Sequence, residues 1–133
     1  MQAVSILAGL VALSVLAGVL LKLREGRARI VSTAQTVDGL SVDLGETATL
    51  VQFSTEFCTK CPATRRALTE LAGRHEGVVY ADVDLTHDRA TADRFRVLQT
   101  PTVLLVDRRG RVRNRIGGAP RIPELEQAIT ALR

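Results

Sequence analysis

The chain has 133 residues, room for one ordinary domain, and a formal charge of +4 from 18 basic and 14 acidic side chains. The excess is local, because positions 22–29 carry a net +3 and residues 30–133 only +1. With four aromatic residues in all, Phe53, Phe57, Tyr80 and Phe95, the sequence lacks the basic face and stacking platform of a nucleic-acid binder, and that class of partner is excluded.

Residues Met1 to Leu21 hold no charged side chain. A helix of that length spans about 30 Å, the thickness of a bilayer's hydrocarbon core. A cleaved signal peptide needs a basic start, a shorter apolar run and a small-residue cleavage site. None of these is clear, so residues 1–23 are read as one transmembrane anchor. Lys22, Arg24, Arg27 and Arg29 follow it at once. By the positive-inside rule they place the N-terminus outside and the rest of the chain in the cytoplasm, with residues 1–29 in contact with lipid. The reverse orientation would put the domain outside the cytoplasm. The pairs Ala8/Ala12 and Ser14/Gly18 are spaced as small residues that let a partner helix approach.

Residues 24–46 read as a basic flank and linker. A short strand is expected near Arg29 to Val31, and the alternation in "LSVDL" (40–44) suggests an edge strand. The domain proper is expected over 47–133. "ATLVQFS" (48–54) has the apolar, β-branched character of a buried strand, and it stops just before Cys58. Ala63, Ala67, Leu68, Leu71 and Ala72 then form one stripe of an amphipathic helix, and Gly77 marks its end. "VVYADVDL" returns to strand, "HDRATADRFRV" to helix and "TVLLVD" to a buried strand. "RRG" makes a turn into "RVRNRIG", whose alternating arginines suggest an exposed or edge strand with Val112 and Ile116 facing the core. "IPELEQAITAL" closes as a helix, with Pro123 tolerated in its first turn. This order predicts an α/β domain, a mixed central sheet with helices on both faces, preceded by one membrane helix.

"FCTKCPATRR" (57–66) holds the only two cysteines, Cys58 and Cys61. A C-x-x-C between a strand and a helix is the arrangement of a thiol–disulfide redox motif. Cys58 at the helix start meets unpaired N–H groups and the positive end of the macrodipole, which favour its thiolate, the nucleophile. Lys60 adds a nearby positive charge that tunes the thiol. Cys61, one turn in, reaches the mixed disulfide and resolves it.

A second signal is "QTPTVLLV", which sets Pro101 43 residues after Cys58. Together with the phenylalanine–cysteine start of the motif and the order of elements, it makes residues 48–132 resemble the thioredoxin family. The resemblance implies a cis peptide before Pro101, in a loop that lies against the cysteine pair and binds substrate with Thr100. It also implies that Phe57 packs beside Cys58 and presents apolar surface to the partner. The implied activity is that of a membrane-anchored protein-disulfide reductase. It needs no cofactor beyond the Cys58–Cys61 disulfide, and it needs disulfide-bearing protein substrates and an upstream thiol reductant. Three positions depart from the family pattern. Phe57 stands where tryptophan is usual, Thr59-Lys60 replaces Gly-Pro, and Gln52 stands where an aspartate is often buried to move the proton of the resolving thiol.

Other readings of these residues stay open at this level. The pair is the size of two buried small hydrophobes, or, as a non-catalytic module, it carries a soft metal such as Cu(I) or holds a membrane partner. A zinc site is disfavoured, since His75 and His87 are twelve apart. Asp82 and Asp84 share a strand face, where a polar strand end is the plainer reading than acid–base work.

Overall fold

The computed structural model describes residues 1–30 and 35–133. Val31, the last residue of the first expected strand, lies outside the described residues. Helix α1 spans Gln2–Arg24, followed by the two-residue strand β1 (Arg29–Ile30). Then come β2 (Ala48–Ser54), α2 (Cys61–Arg74), β3 (Val78–Asp84), α3 (Arg89–Arg94), β4 (Thr102–Asp107), β5 (Val112–Gly117) and α4 (Ile122–Thr130). The five strands form one mixed sheet in the order β1-β5-β4-β2-β3. Among the described residues only β2 and β3 run parallel, joined by the crossover through α2, and the remaining neighbours are antiparallel.

Strand β2 is buried along its whole length. Its alternate residues feed two cores, as the two-residue period of a strand requires. Ala48 and Leu50 join Val103, Leu105 and Ile116 under α2 and α4, which contribute Leu68, Leu71, Leu125 and Ile129. Val51 and Phe53 join Leu104, Val106 and Phe95 on the other face, beneath α3 and the segment around Val37. The rings of Phe53 and Phe95 sit 5.4 Å apart in a tilted pair, within the range that aromatic pairs favour. Helices therefore cover both faces, as the apolar patterns predict.

Helix α1 has no buried residue over its 23 positions and a mean hydropathy of 2.6 over an 18-residue window, so it is long and apolar enough to cross a membrane.

Three local expectations change. Residues 40–44 form no strand. Their backbone bonds close locally, Leu40 N–H donating to Val37 O (3.0 Å) and Val42 N–H to Leu40 O (2.9 Å), so the segment folds over the Phe53–Phe95 face with Leu40 and Val42 half-covered. The helix read over "HDRATADRFRV" is only six residues, capped by Asp88 Oδ1 accepting from Thr91 N–H (3.0 Å). It ends where Arg96 takes a positive φ of 50° and where the Arg115 guanidinium donates to Phe95 O and Arg96 O. Strand β5 is not the edge, because β1 pairs with its outer side through Arg29↔Arg115 and Ile30↔Asn114.

The β4–β5 turn is organised by Asp107. Its Oδ1 accepts from Arg109 N–H (2.9 Å) and Arg111 N–H (3.0 Å), and its Oδ2 from Arg111 Nε (3.3 Å) and an Arg113 guanidinium nitrogen (3.4 Å). Burial opposes the charge, but those donors outweigh it and hold the carboxyl below its ordinary value. A lowered folded-state pKa gives stability above the carboxylate range that is lost as pH falls through it. Asp107→Asn is expected to be less stable than wild type at about pH 7 and to lose less on acidification below about pH 4. Thermal melting of the full chain in mild detergent across that range checks both signs.

Candidate functional site

Strand β2 delivers its C-terminal end to the cysteine loop. Its partner β4 runs antiparallel, with Phe53 opposite Thr102, so the chain leaving β2 emerges beside the Thr100–Pro101 peptide. That peptide is cis, at the one kind of bond where cis costs little. Thr55 Oγ1 and Thr100 Oγ1 lie 3.5 Å apart across the gap. Cys58 N–H donates to Thr55 O (3.2 Å), closing a turn, and α2 begins at Cys61, so Cys58, expected at the helix start, lies in the turn before it, and Cys61, expected one turn in, is its first residue; Pro62 follows in the first turn, where the missing N–H costs nothing.

Cys58 and Cys61 are joined by a disulfide. Their surroundings differ. Cys58 is half-exposed, whereas Cys61 is 2 % exposed against the sheet. The disulfide thus joins a partly exposed residue to a buried one. Phe57, next to Cys58 in the chain, is 82 % exposed, and Leu98, three residues before Pro101, is 95 % exposed. Among the described residues no group of three or more His, Cys, Asp or Glu side chains is placed to hold a metal ion.

Gln52 is fully buried below the loop. Its Nε2 donates to Cys61 O (3.2 Å) and its Oε1 accepts from the Tyr80 hydroxyl (3.0 Å). Burial, then the Asp82 charge, push the Tyr80 hydroxyl up, with Arg65 opposing them, so it stays protonated at neutral pH. Arg65 pairs with Asp82, and Asp82 Oδ1 accepts from Ser54 Oγ (2.6 Å). A neutral amide and phenol thus occupy the ground under Cys61, and the carboxylate of this network sits at the strand end. Sequence reasoning singled out Gln52 but missed Tyr80. The available signal was that Tyr80 lies two residues before Asp82, hence on the same strand face.

The C-terminal end of α1 meets this same pole. Glu25 Oε2 lies 3.9 Å from Lys60 Nζ, between the cysteines in sequence. Gly26 N–H donates to Gly117 O (3.1 Å), Arg121 N–H to Gly26 O (3.3 Å) and the Arg121 guanidinium to Leu23 O (2.8 Å). Gly118 N–H donates to Pro101 O (2.8 Å), linking that junction to the cis-proline loop. A groove of about 480 Å³ runs from Leu21 and Arg24 past Leu98 and Gln99. A larger depression, about 800 Å³, lies at the opposite end of the sheet among Arg108, Arg109 and Arg133 and touches no residue of the cysteine loop.

Solved structures share the fold. They include a thioredoxin from Halobacterium salinarum (21 % identity, 65 % of this chain and 75 % of that one, TM-score 0.58). Spinach chloroplast thioredoxin f in its short form gives 22 % identity, 67 % and 79 % coverage and a TM-score of 0.57. Thioredoxin-2 of the malaria parasite, described as a component of its protein secretion machinery, gives 18 % identity, 76 % and 98 % coverage and a TM-score of 0.60. No curated protein matches the chain. The Thioredoxin family model matches residues 33–131. That match covers the cysteine pair, the cis-proline loop and all the sheet except β1, and the chain belongs to the thioredoxin family.

Proposed function

We propose that this protein is a membrane-anchored thiol–disulfide oxidoreductase that reduces disulfides in partner proteins. The observation that carries the reading is the unequal burial of the joined pair, half-exposed Cys58 above Cys61 at 2 % exposure, beside the cis Thr100–Pro101 peptide. In the reduced protein, the Cys58 thiolate attacks one sulfur of a partner disulfide. A Cys58–partner disulfide forms, the partner's own bond breaks, and the released thiolate takes up a proton. Cys61 then loses its proton and attacks Cys58 Sγ, forming the intramolecular disulfide and releasing the second partner thiolate. Two electrons pass to the partner, and an external dithiol returns them.

The surrounding residues act on position and charge. Cys58 lies in the turn two residues before Lys60, the N-cap of α2, and the unpaired N–H groups of that helix start favour negative charge nearby. Lys60 adds a cation whose ammonium is shared with Glu25. Phe57 offers apolar contact, and Thr100 with Pro101 shapes the wall against which an extended partner segment lies. With Gln52 in place of an acid, the proton of Cys61 leaves to water rather than to a buried carboxylate. Helix α1 forms the anchor over residues 1–23, and its basic flank supports a cytoplasmic domain, where a reductase would be kept supplied with electrons.

Insulin reduction by the full chain in detergent, with dithiothreitol as donor, tests the roles. Cys58→Ser is expected to fall to the uncatalysed background, and Cys61→Ser to accumulate a mixed disulfide visible without reductant. Full activity in Cys58→Ser, with nothing trapped by Cys61→Ser, would sink the assignment. Gln52→Leu removes the acceptor of the Tyr80 hydroxyl and the side-chain donor to Cys61 O, and is expected to cost about 1–3 kcal/mol. Urea titration measures it, and adding Tyr80→Phe should recover part of the loss.

A further inference from the structure

The junction between α1 and the domain has little slack. Only residues 25–28 separate α1 from β1, and β1 is already hydrogen-bonded to β5. Within those four residues Gly26 is buried with φ +73°, and a Cβ there would run into Ala119 O, so no other side chain fits at that position. Its N–H and C=O are both spent on the domain, on Gly117 O and Arg121 N–H, while Arg121 also holds Leu23 O inside the last turn of the helix. Beyond that turn α1 buries nothing, so it leaves the domain instead of lying along it.

This junction attaches at the redox pole and not at the other end of the sheet. Two hydrogen bonds lead from it to that pole, Gly26 to Gly117 and, from the adjoining Gly118, to Pro101 O. Glu25 sits against Lys60 of the cysteine loop. The same pole gathers Arg24, Arg27, Arg29, Arg96 and Arg115 around the groove that begins at Leu21, a positive surface next to the point where the helix would enter lipid. Anionic headgroups complement that charge. Phe57 and Leu98, the two most exposed large apolar side chains of the domain apart from Ile30, stand at this pole.

We infer that the cysteine pair is held facing the membrane surface, and that its substrates are disulfides of membrane proteins lying within a few residues of the bilayer. This rests on the anchored-reductase reading above and uses the same two-electron exchange. It adds a rule of geometry: the short junction excludes disulfides carried far from the bilayer, because the pole that bears Cys58 is turned toward the lipid.

The test uses the full chain in vesicles of zwitterionic and anionic phospholipid, with Cys58 and Cys61 pre-reduced and excess reductant removed. Two probe peptides share one transmembrane segment and one two-cysteine disulfide loop, presented on the side that carries the domain. One holds the loop about five residues from the segment, the other beyond a Gly/Ser spacer of about 40 residues, which reaches on the order of 35 Å. The near loop is expected to be reduced at least about tenfold faster, and a flexible insert of about 20 residues between Glu25 and Gly26 to abolish that preference. Equal rates, or a faster far loop, overturn the inference and leave the reductase reading standing. An inserted chain that reduces neither loop removes the reductase reading and this one together. A chain that carbonate washes from the vesicles removes the anchor, and the inference with it.

Discussion

Strand β2 is hydrogen-bonded to a neighbour on each side and covered by a core on each face, so its position admits almost no adjustment. Everything at the site hangs from its end. The pairing of Phe53 with Thr102 brings the cysteine loop to the cis-proline loop, and the parallel pairing with β3 brings Gln52 within reach of Tyr80. A slip of one residue would turn Leu50 and Gln52 to the opposite face and separate both pairs. The continuous burial of β2 thus fixes the loop in which a partly exposed Cys58 is joined to a buried Cys61.

Beneath that loop the chain has settled for neutral chemistry. Gln52 satisfies a phenol and a backbone carbonyl and introduces no buried charge, which avoids the desolvation cost of an unpaired carboxylate. The charged members of the network, Arg65 and Asp82, lie farther out, where solvent shares the cost of charge. In the proposed exchange, electrostatic help comes from the start of α2 and from the exposed Lys60.

Much of this was legible in the sequence because the signals were local. The unbroken apolar run of 48–54, the stripe through Leu68 and Leu71, and the spacing of Cys58 and Cys61 each depend on residues close together in the chain. What stayed hidden depends on distant pairings. The alternation in 40–44 mimics a strand, but the segment packs Leu40 and Val42 over Phe53 and Phe95 and closes its own turns. Arg115, which looks like one of several surface arginines, ends α3 by gripping two carbonyls twenty residues away. Glu25 and Gly26 look like linker residues, yet their contacts with Lys60, Gly117 and Arg121 fix where α1 meets the domain. No local pattern announces contacts of that range.

The central claim is that Cys58 and Cys61 exchange electrons reversibly with other thiols and do not merely brace the loop. The measurement that tests it most directly is the reduction potential of the pair in the full chain, equilibrated in detergent with glutathione and dithiothreitol buffers and read by thiol alkylation. The account predicts one two-electron transition between about −270 and −120 mV, the span of thioredoxin-like exchangers. A pair that remains oxidised below about −300 mV, as structural disulfides do, would contradict it.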